Sequence, residues 1–159
     1  MKFGIYTLVI ENFLSKSKFN MLDVGFGVLE YGWGNGYILL PPNHPFYEID
    51  YDDIDVKVHG GLTFGEKFNS THFLEWIKGR EISGDITLYN FEQFNNYWII
   101  GFDTSHFGDN GENCPKEYVI DETSHLLEQC LDESNKEIKK YKYITLRKDK
   151  LNKINASII

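Results

Sequence analysis

One run constrains this chain more than any other: Tyr97-Trp98-Ile99-Ile100-Gly101-Phe102, the most apolar stretch in the sequence, which breaks off into Asp103-Thr104-Ser105-His106-Phe107-Gly108-Asp109. It is too short for a buried helix, and its β-branched and aromatic residues favour a strand. With no apolar–polar alternation it reads as buried on both faces, hence as a central strand of a sheet. Such a strand needs neighbours. Tyr37-Ile38-Leu39-Leu40, stopped by Pro41-Pro42, reads as one, and the N-terminal run through Ile5 to Ile10 as another. The segment Ile54-Asp55-Val56-Lys57-Val58-His59 alternates cleanly and ends at Gly60-Gly61, as expected of a half-buried strand. The glycine-rich stretch Gly25 to Tyr37 suggests a hairpin, and Tyr141 to Leu146 a last strand.

Helical signals are fewer. Residues 72–79 read as a short helix or an irregular connection. Pro115 opens the clearest helix, with Val119, Leu126, Leu127, Cys130 and Leu131 on one face and Asp121, Glu122 and Glu128 mostly off it. Strands followed by one long helix give an α+β class, with a mainly antiparallel sheet packed against a single long helix in the C-terminal half. At 159 residues, with no repeat and no Pro/Ser linker, the chain reads as a single domain over 1–159.

Charge narrows the partners. From Ser134 onward there are eight basic and two acidic residues, a basic tail segment of net +6, whereas residues 1–133 carry a net −14. An acidic body repels a long phosphate backbone, so long nucleic acid is not expected as a partner. No run approaches the roughly 20 apolar residues of a membrane-spanning helix. The N-terminal run passes straight into Glu11 and Asn12 without a cleavage site, so a strand is expected there and not a leader. Cys114 and Cys130 form neither a zinc spacing nor a disulfide framework and read as free thiols. The expected location is the cytoplasm; homo-oligomerisation is left open.

The chemistry concentrates at two strand exits. His59 stands at one, followed by two glycines that keep the approach open. Asp103, Thr104, Ser105, His106 and Asp109 stand at the other. Imidazole, with an ordinary pKa of about 6.5, suits proton transfer near neutral pH. If the exits converge, His59 and His106 form a base–acid pair for hydrolysis of a phosphodiester or glycosidic bond, with Asp103 orienting a ring and Asp109 in support. Tyr31 and Trp33 are candidate stacking walls, and Lys57, Thr63 and Thr104 candidate ligand contacts. His44, His72 and His125 read as ordinary surface or core residues. No cofactor is expected. A divalent metal on His59, Asp103, His106 and Asp109 is a second reading. The acidic run from Glu48 to Asp55 lacks the glycine and final glutamate of a calcium loop. Ser105 and Cys114 lack the surroundings of a nucleophile.

The motifs His59-Gly60-Gly61-Leu62-Thr63-Phe64 and Trp98-Ile99-Ile100-Gly101-Phe102-Asp103-Thr104-Ser105-His106-Phe107-Gly108-Asp109 resemble those of a family of small uncharacterised phage and bacterial proteins. That family reads roughly His-Gly-Gly-Ile/Leu-Thr-Phe/Tyr and Trp-Trp-Ile-Gly-Phe-Asp-Thr-Ala-His-x-Gly-Asp. Pro41-Pro42-Asn43-His44-Pro45 and Tyr51-Asp52-Asp53-Ile54 also resemble its pattern, over about residues 30–131. Tyr97 and Ser105 depart from it, leaving the His and Asp positions intact. The resemblance carries no mechanism. By analogy with small phage proteins that act against bacterial immune signalling, it implies a nucleotide-derived messenger as ligand, cleaved by the His/Asp site. The alternatives are a sponge that sequesters such a messenger and an inhibitor that binds a host protein through the acidic surface.

Overall fold

The computed structural model describes residues 4–12 and 30–156. Five strands, β1 (Tyr6–Glu11), β2 (Gly34–Leu40), β3 (Phe64–Lys67), β4 (Ile82–Gly84) and β5 (Trp98–Phe102), form one sheet in the order β3-β5-β2-β1-β4. Every neighbouring pair is antiparallel, with Leu8 opposite Tyr37 and Gly84, Ile38 opposite Ile100, and Phe64 opposite Gly101. The short helix α1 (Ser70–Trp76) and the 41-residue helix α2 (Lys116–Ala156) complete an α+β arrangement. Among the described residues, no helix is long and apolar enough to cross a membrane. Both cysteines are free.

The sheet is covered on both faces, which is why β2 and β5 are almost continuously apolar instead of alternating. On one face Leu8, Ile10, Tyr37, Leu39 and Ile99 pack against an aromatic layer of Phe68, Phe73, Phe91 and Phe94. On the other, Ile5, Val9, Ile38, Leu40, Ile100 and Phe102 receive Val119, Leu126 and Cys130 of α2. The buried positions 119, 123, 126 and 130 recur at helical spacing. Gly36 of β2 lets the helix approach, since a Cβ there would lie 2.1 Å from Thr123 Oγ1.

Two sequence expectations change. Residues 54–59 do not join the sheet; the chain is extended but runs beside α2. Its alternation is real, with Ile54 buried and Asp55 and Lys57 exposed. Its backbone, however, is satisfied by helix side chains: Gln129 accepts from the Lys57 N–H at 2.7 Å and donates to the Lys57 carbonyl at 2.9 Å. Tyr141 to Leu146 is helix, not strand. Tyr141, Tyr143 and Leu146 are each more than 60% exposed, and with no neighbour to complete a ladder, helix is the conformation that satisfies this backbone internally. The glycine-rich stretch lies outside the described residues up to Leu29, and its end, Gly34–Tyr37, belongs to β2.

Candidate functional site

Where β5 ends, the chain turns immediately and is pinned from below. Thr104 is wholly buried, its hydroxyl donates to the Gly34 carbonyl at 2.7 Å, and its own carbonyl accepts from the Gly32 N–H at 2.7 Å. Thr104 therefore anchors the loop and presents nothing to a ligand. Asp103 accepts from the Ser105 N–H at 2.8 Å and starts the turn. His106 and Asp109 close a tight loop: the His106 amide donates to Asp109 Oδ2 at 2.8 Å, and the Asp109 amide donates to the His106 carbonyl at 3.0 Å. Asn110 and Asn113 then brace the approach to α2, with Asn113 Nδ2 donating to the Gly108 carbonyl at 2.8 Å. Cys114 follows, its amide bonded to the Asn110 carbonyl and its carbonyl accepting from the Trp33 N–H.

His59 arrives along the face of α2. Its amide donates to Glu122 Oε2 at 2.9 Å, and its ring lies between Tyr118 and Asp109, with Nδ1 3.0 Å from Tyr118 Oη and Nε2 3.0 Å from Asp109 Oδ2. Because an ionised carboxylate only accepts, Nε2 carries the proton in the neutral ring and Nδ1 accepts from the Tyr118 hydroxyl. The His106 ring stands 5.4 Å from that of His59, edge-on, with Nδ1 3.3 Å from the same Asp109 oxygen. The two exits thus converge on one carboxylate, though only one of them is a strand end.

Asp109 is the hub. Burial pushes its carboxyl up, but the bonds from His59 and the His106 amide outweigh this and hold it below the ordinary 3.8. Asp103 was expected to orient a histidine, yet its nearest oxygen is 3.9 Å from His106 Nδ1, beyond hydrogen-bond reach, and that role falls to Asp109. The Cys114 thiol points at Asp109 Oδ1, 3.8 Å away, and is pushed up by burial and then by that negative charge. Burial, followed by Glu122, likewise raises Tyr118. Gly60, at φ +64°, is required twice over: its backbone is left-handed, and a Cβ there would sit 2.2 Å from the His106 ring.

Trp33 packs against the α2-side core beneath the Lys116 ammonium, 5.5 Å from its ring, and Tyr31 is half-buried just before it. Lys57 and Thr63 are exposed, the Thr63 amide donating to the Gly101 carbonyl. His44 is buried and structural, with Nδ1 accepting from the Phe46 N–H and Nε2 bonded to the Cys130 carbonyl. His72 and His125 are exposed. Sequence reading missed Tyr118, Glu122 and Gln129. Their spacing of four and seven residues places them on one helical stripe, the signal that could have revealed them.

Comparison with known protein families, with curated proteins and with solved structures finds no match to this chain.

Proposed function

We propose that the His59–Asp109–His106 cluster is an acid–base site for hydrolysis of a small nucleotide-derived signal. The convergence of two imidazoles on one carboxylate supports this reading. His106 is the proton-transfer group with access, its side chain 36% exposed. Paired with Asp109, it takes a proton from water as the water oxygen bonds to the electrophilic phosphorus or anomeric carbon, then returns that proton to the leaving oxygen or nitrogen as the old bond breaks. His59, held at both nitrogens, fixes the carboxylate. The substrate class rests on the motif resemblance alone.

A sponge is the second reading. Both ring nitrogens of His59 already have protein partners, which suits a rigid binding wall as well as a reacting group. One experiment separates the two. The protein is incubated with cyclic dinucleotides and cyclic ADP-ribose isomers, denatured by heat, and the supernatant analysed. New product means an enzyme and intact ligand released on heating means a sponge. Loss or change of none of them would sink both. For the enzyme, His106→Ala should lower turnover at least a hundredfold, in the range general acid–base groups supply.

A further inference from the structure

We infer that His59 Nε2, the Asp109 carboxylate and Cys114 Sγ form a binding site for one divalent transition-metal ion, zinc by the chemistry of the donors. Two of the ligand atoms come from the loop between β5 and α2 and the third from 50 residues upstream, and the three lie within 4.8 Å of one another. Zinc bonds of about 2.0–2.3 Å to N, O and S place tetrahedral donors roughly 3.3–3.8 Å apart. The His59 Nε2–Asp109 Oδ2 separation of 3.0 Å falls just below that spacing and the Cys114 Sγ–Asp109 Oδ1 separation of 3.8 Å at its upper end, so each neighbour faces its own carboxylate oxygen. Soft thiolate, imidazole and carboxylate together select zinc over magnesium or calcium.

The outer shell is already in place. A metal-bound histidine ordinarily donates its other ring N–H to a fixed partner, and Tyr118 Oη stands 3.0 Å from His59 Nδ1. The His59 backbone is fixed by Glu122, Asp109 by the His106 amide, and Cys114 by Asn110 and Trp33. Binding sends the thiol proton to solvent and shifts the ring proton of His59 from Nε2 to Nδ1, which then donates a hydrogen bond to Tyr118 Oη. Three protein ligands leave a fourth position open to water or a substrate oxygen, beside His106. Cys130 offers no such site: it is fully buried within the apolar core, its thiol pushed up to about 12.

The inference stands on geometry and does not depend on turnover. The full chain, stripped with a chelator and dialysed against zinc, should retain one equivalent by elemental analysis. Cobalt in its place should give a near-ultraviolet thiolate-to-cobalt band. Cys114→Ser should abolish that band, His59→Gln should weaken zinc binding at least tenfold, and Tyr118→Phe should weaken it about 10–100-fold as an outer-shell loss. His72→Gln, altering an exposed imidazole on α1, should leave binding unchanged. Retention of less than a tenth of an equivalent by the wild-type chain overturns the inference, as does a cobalt band that survives Cys114→Ser.

Discussion

The two faces of the sheet are built from different materials. On one, aromatic rings interlock: Phe73 alone meets Tyr37, Phe64 and Trp76 edge to face at centroid distances of 5.5–6.2 Å and Phe68 in a tilted contact at 4.9 Å. On the other, smaller aliphatic side chains meet one helix, and at its N-terminal end the apolar contact gives way to Cys114, Asp109, His59 and His106. Large rings seal that surface, and the polar groups among them, Asn35 Nδ2 and the Tyr37 hydroxyl 3.3 Å away, bond to each other. Aliphatic packing under α2 gives way near its first turns, where Tyr118 and Glu122 meet His59 and polar side chains fill the margin. The aromatic layer and the polar cluster thereby lie on opposite faces.

The largest effect that tests this division is expected at Phe73→Ala. Removal of a ring only 1% exposed should cost about 3–5 kcal/mol in denaturant unfolding, with the His59 and His106 resonances of the still-folded fraction unmoved. A cost below about 1 kcal/mol would break the comparison. Next comes Gly60→Ala, expected to cost about 1–3 kcal/mol for its left-handed backbone and also to displace His106. Gly61→Ala sharpens the point, because Gly61 shares the positive φ but has nothing within 4 Å of its added Cβ. It should lose similar stability while leaving the His106 resonances in place.

Gln129→Ala should cost about 1 kcal/mol and speed hydrogen exchange at the Lys57 amide without touching the aromatic face. The smallest effect is one of pH. Burial lowers His44 below its ordinary 6.5, opposed by its bond to the Cys130 carbonyl and the charge of Glu133. The unfolded chain therefore takes up a proton near pH 6.5 that the folded chain refuses. Stability is complete above that pH and declines as the pH falls through 6.5 toward the lower folded value. A thermal-melting series over this range should flatten in His44→Gln; an unchanged slope would remove His44 from the account.

Much of this was legible in the sequence, for identifiable reasons. The Trp98–Phe102 strand announced itself because burial on both faces leaves no alternation, and the Val119–Leu131 stripe because one helical face is buried. His59, His106 and Asp109 stood out as polar residues beside glycines at the ends of apolar runs. Residues 54–59 misled because period-two burial reports an extended chain next to something, not what that something is. Gln129 supplies the donor and acceptor a neighbouring strand would have supplied, and its stripe with Tyr118 and Glu122 passes for a solvent-facing side of the helix. Tyr118 and Glu122 were hidden for the same reason, since polar helix positions ordinarily face water. Asp103 and Asp109 exchanged roles because sequence spacing cannot tell which carboxylate a turn directs inward.

The helix-borne clasp on residues 57–59 also sets an order of assembly. His59 is tied to Tyr118 and Glu122, and Lys57 to Gln129, at sequence separations of 59 to 72, whereas the His106–Asp109 loop closes at a separation of three. Local closures of that kind form early and long ones late. The loop after β5 can therefore take its shape as soon as the strand is in place, while the cluster becomes complete only when α2 docks. Partial undocking of the first turns of α2 would release His59 while β1, β2 and β5 remain paired, so occupancy of the site reports on the docked helix alone.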